Sequence, residues 1–204
     1  MADDRWIEVS TSAFAHETEG LRLLREIVPS ASPYRAWTNF EFMDNHGGWN
    51  EIDALILGRR RLHMVELKSW NGVLSGNEKN WILTGSNRQS RTQRSALLTT
   101  RHKAQKLASR LKDEVRKVAQ EHHLNVDKVM RQFPFIQEEV YFHGDRFAVN
   151  LSDLAKSNLF GIDGRESQTG LPGIAARLLE PPNEGRDVYG EDMSVIIALA
   201  LREL

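Results

Sequence analysis

Residues Asn50 to Lys68 read NEIDALILGRRRLHMVELK. Two runs rich in Ile, Leu and Val, 52–57 and 62–67, flank Gly58 and three arginines, the pattern of two strands joined by a tight turn. With the turn centred on Arg59 and Arg60, antiparallel pairing sets Asp53 opposite Glu66 and Glu51 opposite Lys68. Unbroken alternation then puts all four on one face, at one end of the hairpin, with Leu55, Leu57, Leu62 and Met64 behind them. An Asp facing a Glu across a ladder is destabilising unless a cation, a shared proton or solvent relieves it. Lys68 or a divalent metal would serve. The other reading is an ordinary Glu51 to Lys68 ion pair with Asp53 and Glu66 turned to water, and the pattern alone leaves both open.

The rest of the chain sets bounds on that choice. At 204 residues and 40% hydrophobic content it can bury one core of ordinary size. It has no cysteine, which removes disulfides, thiolate zinc sites and cysteine nucleophiles, and agrees with a reducing compartment. The opening MADDRW lacks the apolar run of a signal peptide, and no later segment is apolar over the length of a bilayer. A soluble, cytoplasmic protein with no membrane partner is the expectation. The formal net charge of -1 gives no general affinity for nucleic acid, so any such binding must come from a local patch.

Outward from the hairpin on its N-terminal side, Tyr34 to Met43 alternates aromatic and polar residues as a strand, and DNHGG supplies the turn into Asn50. Before it, residues 16–28 form an amphipathic helix stopped by Pro29, with Leu21, Leu24 and Val28 as its core stripe. Glu17 continues that stripe one turn back, whereas Glu19 is turned away. A glutamate there is otherwise a favourable first-turn charge at the positive end of the helix dipole.

On the C-terminal side, residues 72–75 and 80–84 around GNEKN suggest a further hairpin, bracketed by Trp70 and Trp81, which read as packing residues. From Ser95 to about His123 runs a long helix, with Leu97, Ala104, Ala108, Leu111, Val115 and Val118 on one face. Between Arg88 and Lys117 there are ten Lys or Arg and two acids. Lys103, Lys106, Arg110 and Lys117 make a basic stripe along this helix. Such a stripe is usually a solvated face, yet its excess of positive charge in a near-neutral chain suits contact with DNA phosphates. Phe135 to Phe142 reads as a strand, Leu159 to Gly173 as loop, and residues 172–180 and 191–203 as helices separated by the turn PPNEG. The last helix runs to Leu204 without a cap, as in a fragment of a longer chain. There is no P-loop, dinucleotide fingerprint, GxSxG elbow, HExxH pair or kinase motif.

With helix Glu17, three strands, Asp53, the tripeptide Glu66-Leu67-Lys68 and a following basic helix in place, the order resembles the αβββαβ core of the PD-(D/E)XK restriction-endonuclease-like nucleases. More narrowly, residues 16–85 resemble the nuclease-related domain, NERD, in Glu17, Asn50 to Asp53, Val65 to Lys68, Gly72 and Trp81. YRAWTNFEF and KSWNGVLSGNEKNW are especially similar to the N-terminal domain of the serine/threonine kinases of phage growth limitation and BREX-type defence. Ile52 replaces the Pro of the superfamily name, and Ser95, Ala96 and Thr99 stand where relatives have an Asn-Pro and a helix Gln.

The resemblance implies an α/β nuclease-like core over residues 1–150, and a loop-rich, helical C-terminal extension over 151–204 leading toward a further domain. It implies Mg²⁺ or Mn²⁺ held by Asp53, Glu66, the Leu67 carbonyl and Glu17, and Lys68 acting on the attacking water. The implied activity is metal-dependent DNA phosphodiester hydrolysis in anti-phage defence. The alternative is a catalytically silent domain that binds DNA, a nucleotide or another defence protein and regulates a fused kinase.

Overall fold

In a computed structural model of the chain, residues 5–12, 14–182 and 191–204 are described. The elements run β1 (Trp6–Glu8), α1 (Ala15–Ile27), β2 (Arg35–Met43), β3 (Trp49–Leu57), β4 (Leu62–Lys68), β5 (Gly72–Gly76), β6 (Asn80–Thr84) and β7 (Ser90–Arg94). They continue with α2 (Ala96–Glu121), α3 (Val126–Arg131), β8 (Ile136–Phe142), β9 (Phe147–Asn150), β10 (Leu159–Phe160), α4 (Glu166–Thr169), α5 (Ala175–Leu178) and α6 (Glu191–Leu201). The main sheet has the order β1-β2-β3-β4-β8-β10, with β2, β3 and β4 antiparallel and β8 parallel to β4. A smaller sheet, β7-β6-β5-β9, stands beside it.

The central hairpin forms because Leu55, Leu57, Leu62 and Met64 share one apolar face. They meet Ala104, Leu107, Leu111 and Val115 of α2 and Ile196 and Ile197 of α6. Across the sheet, Ala54, Ile56 and Val65 pack with Leu21 and Leu24 of α1 and Leu178 of α5. The result is a three-layer α/β/α sandwich. β3 and β4 pair Leu57 with Leu62, Ile56 with His63, Leu55 with Met64 and Ala54 with Val65, the register the turn at Arg59 and Arg60 dictates.

The alternation of β2 and β3 breaks once. Trp37 and Phe42 of β2 face the same core although they are an odd number of positions apart, and so do Ile52 and Leu55 of β3. The β2 to β3 ladder omits the pair Asn39 and Asp53, and Asn39 has a left-handed φ of 52°. Asn tolerates that conformation better than other side-bearing residues. This twist corrects the expected single face: with Ile52 turned toward α2, Glu51 points the other way, and its Cα partner is Glu41 on β2.

Residues 159–173, expected as loop, contain β10 and α4. β10 adds to the sheet beside β8. Helices fall at Ala175–Leu178 and Glu191–Leu201 as expected, while the PPNEG turn lies outside the described residues from Asn183 onward. Trp81 is fully buried and Trp70 meets its ring edge-on at 6.0 Å, with Phe142 and Phe147 completing the cluster, so both tryptophans pack. Gly72 opens β5 at φ 119°, where a Cβ would come within 2.3 Å of the Thr84 carbonyl oxygen.

Candidate active site and its charge network

Where the β3 to β4 ladder ends, the Asp53 side chain takes over: its Oδ2 accepts the Leu67 N–H at 2.7 Å. It is therefore the N–H of Leu67 that meets Asp53. Beside it, Glu66 projects toward α2 and is held at both oxygens. Lys68 Nζ donates to Oε1 at 2.7 Å and Lys103 Nζ, reaching over from α2, donates to Oε2 at 2.9 Å. These four side chains are all at least half-buried.

The two carboxylates respond oppositely to this setting. Burial raises the Asp53 carboxyl, the negative charge of Glu66 raises it further, and the Leu67 N–H and the two lysines only partly offset them, leaving it pushed up to about 7. Burial acts on Glu66 in the same direction, but the charges and hydrogen bonds of Lys68 and Lys103 outweigh it and hold Glu66 below the usual carboxylate range. Asp53 is thus an anion short of a cation, and Glu66 one that already has two.

Glu17 occupies a different place. Its Oε2 accepts a hydrogen bond from Ser12 Oγ at 2.6 Å, and it lines a cleft of about 340 Å³ with Ser10, Asn39, Glu41 and Glu51. Glu51 makes no pair with Lys68, contrary to the cross-strand ion pair considered from the sequence. Among the described residues no three His, Cys, Asp or Glu side chains converge as a metal-holding group. Asp53 and Glu66, with the backbone at Leu67, form an oxygen-donor pair of the kind hard divalent ions take. The raised Asp53 carboxyl fits such an ion, because a cation there would relieve the charge that burial and Glu66 make costly.

Each cation of the α2 basic stripe has a carboxylate partner within the chain. Lys103 holds Glu66, Lys106 binds Asp44 Oδ2 at 2.7 Å and Asn50 Oδ1 at 3.2 Å, and Arg110 and Lys117 both face Glu114. Lys103 in the charge network is a placement that sequence spacing did not reveal; only its charge and its position on a helix after the hairpin pointed to it. His143 was also missed. Its N–H donates to the Lys68 carbonyl at 3.1 Å and its Nε2 bonds the His16 carbonyl at 2.8 Å, tying the Glu17 helix to the Lys68 end of β4. Burial lowers the His143 imidazole, so the neutral ring donates from Nε2 to that carbonyl.

Three antiparallel strands, a parallel fourth reached through a helix, and acidic residues on adjacent strands where their pairing ends define a PD-(D/E)XK-like nuclease fold. The sequence matches the nuclease-related domain over residues 12–142, and the chain belongs to that family. Its sequence is also 38% identical over 111 residues to a protein described as the probable kinase PglW of Streptomyces coelicolor. That alignment covers 54% of this chain and 7% of the relative. A solved structure of a protein of unknown function, AF1548, is similar over 75% of this chain and 60% of its own, at 15% identity and a TM-score of 0.31.

Proposed function

We propose that the chain is a metal-dependent DNA phosphodiesterase domain centred on Asp53, Glu66 and Lys68. The observation that carries this reading is the half-buried Asp53 to Glu66 pair on adjacent strands, in which burial and the Glu66 charge push the aspartate up to about 7. Asp53, Glu66 and the Leu67 carbonyl would hold Mg²⁺ or Mn²⁺, with Glu17 contributing from its cleft. The ion would supply Lewis-acid activation of the phosphate and its attacking water. Lys68, freed from Glu66 when that carboxylate turns to the metal, would orient the water and offset charge on the phosphate.

A second reading is favoured by the lysine pair on Glu66. Both oxygens of that carboxylate are taken by lysines, a salt-bridged arrangement that satisfies Glu66 without a metal. In that case the domain binds DNA, a nucleotide or a protein partner and regulates its neighbour, and a cytoplasmic defence kinase carrying this domain at its N-terminus is the corresponding context. Similarity to PglW supports that context.

Melting temperature with and without Mg²⁺ or Mn²⁺, together with plasmid nicking, separates the two. A bound ion at a hundredfold excess over its dissociation constant stabilises by about 2.7 kcal/mol. The nuclease reading expects that gain in wild type, its loss in Asp53→Ala, and its survival in Lys68→Ala alongside a fall in nicking of about 10²- to 10⁴-fold. No metal-dependent shift and no nicking in wild type would leave the regulatory reading in possession.

A further inference from the structure

Each cation of the α2 stripe faces a carboxylate of the chain, but a second group of cations does not. The hairpin β6 to β7 and the turn before it carry Lys79, Arg88, Arg91 and Arg94 with Glu78 as the sole acid between residues 77 and 94. Among the described residues none of these four cations forms an ion pair. Arg91 lies over the Trp70 ring at 5.3 Å, a contact that leaves its N–H groups free, and all four side chains are exposed.

Their setting is an edge. Among the described residues β7 is the terminal strand of the four-stranded sheet and pairs with β6 alone, so no described strand lies beside its outward backbone N–H groups. The face of this sheet opposite the Trp81 core is also open. The register that points Leu74, Trp81 and Leu83 inward, with Arg91 on their side, turns Ser75, Asn80, Thr84, Ser90, Thr92 and Arg94 outward around the exposed Val73 and Ile82, a surface of hydroxyl, amide and guanidinium groups about two aliphatic side chains and, among the described residues, with no acid. Such groups, together with backbone N–H, are what contact phosphate and sugar rather than bases. Ser90 to Arg94 spans about 13 Å of extended strand at about 3.3 Å per residue, and Arg88 sits in the turn that leads into it, so the edge can follow about two phosphates. The edge leads without a gap into Ser95 and α2, and Lys103 lies about 10 Å of helix rise from its start. The surface therefore ends near the Asp53 and Glu66 pair.

We infer that the β7 edge, through Arg88, Arg91 and Arg94, is the surface that holds the DNA backbone, in place of the α2 stripe. The inference rests on the proposed DNA-directed reading for the identity of the polyanion, but not on cleavage. It is tested on the full chain in EDTA, where no hydrolysis occurs, by anisotropy of a short fluorescein-labelled duplex and of its single strand across a salt series. Replacing Arg88, Arg91 and Arg94 by Thr keeps the strand propensity of β7. The logarithm of the binding constant should then fall less steeply with log salt, by about 2–3 in slope, and affinity at low salt should drop at least about tenfold. If that variant fails to fold, Arg94→Thr alone should lower the slope by about 1. An unchanged slope in a folded variant, or no salt-dependent binding by wild type to either probe, overturns the inference. Loss of slope with no plasmid nicking by wild type would leave this surface standing and remove the hydrolytic reading. Nicking together with unchanged binding by the triple variant would do the reverse.

Discussion

At Asp53 two unfavourable effects coincide, burial and the charge of Glu66, and they give metal-free stability a definite pH dependence. A carboxyl raised from the usual aspartate range to about 7 binds its proton more tightly in the folded protein than in the unfolded one. The stability this contributes is complete at low pH and is lost as pH rises from about 4 to about 7. Glu66 has the opposite sign: its lysine partners stabilise the fold above the ordinary glutamate range, and that contribution is lost as pH falls below it. Asp53→Asn imitates the protonated aspartate and removes the first dependence alone. In EDTA the melting temperatures of wild type and Asp53→Asn should converge toward pH 4 and separate toward pH 8, with the variant higher by several degrees. Parallel curves across that range would show that Asp53 is not destabilised as an anion. Saturating Mg²⁺ at pH 8 should close the gap by stabilising wild type only, as the proposed metal site requires.

At the level of elements, two cations of the basic stripe, Lys103 and Lys106, tie α2 to Glu66 on β4 and to Asp44 before β3, while Arg110 and Lys117 pair along the helix with Glu114. Asp44, nearly buried in the β2 to β3 turn, accepts hydrogen bonds from Lys106, from the Gly48 and His46 backbone and from Asn50, and these hold its carboxyl far below the usual range. Reversing Lys103, Lys106 and Arg110 to Glu would set negative charges against Glu66, Asp44 and Glu114. Circular dichroism should show a marked fall in melting temperature for that triple variant, whereas replacing the unpaired Arg88, Arg91 and Arg94 should cost little stability. Equal melting temperatures for wild type and the reversed stripe would mean that these ion pairs are absent in solution. The contrast also shows what the sequence could and could not disclose. The hairpin register was legible because apolar residues at 52–57 and 62–67 leave one pairing that buries both strands. Helix α2 was legible from its apolar period, and α1 likewise. The partners of the basic stripe were not, because Asp44, Glu66 and Glu114 lie at separations that no local period encodes. The left-handed Asn39, which removes Glu51 from the hairpin face, has no pattern beyond a single residue type. Strand β7, SRTQR, has no apolar alternation to announce it, and β1 has only three residues. The sequence thus placed Asp53, Glu66 and Lys68 together, but not Lys103 beside them nor Glu51 away from them.

Across the whole molecule, the segment beyond β9 is joined to the sheet by a second, buried set of charges at the end opposite Asp53. His63 on β4 and Glu139 on β8 are 1% and 0% exposed and meet at 2.9 Å. Arg177 of α5 reaches the same Glu139 oxygen at 3.5 Å and Glu180 at 2.7 Å, and Glu180 in turn binds Arg61 at 2.9 Å. The network thus runs from the strand hairpin through β8 to α5. Gly58 permits this closure, since a Cβ there would crowd both His63 Nε2 and the Leu178 carbonyl oxygen at 3.1 Å. The energetics of buried charges make the test asymmetric. Removing one partner leaves the other charged and unpaired in a dry interior, at a cost of about 3–5 kcal/mol, while replacing both by apolar groups of similar size is often close to neutral. Because Arg177 keeps Glu180 and is partly exposed, Glu139→Leu should lower the unfolding free energy by less than that, read from urea denaturation, and the double variant Glu139→Leu, Arg177→Met should recover part of the loss. A double variant no more stable than Glu139→Leu would assign the loss to His63 instead, left without its acceptor. A Glu139→Leu protein as stable as wild type would mean that apolar packing of Ile174 and Leu178 alone docks this segment. Because the network and the Asp53 pair share β4 but sit at its two ends, DNA binding in EDTA should be the same in the recovered double variant as in wild type.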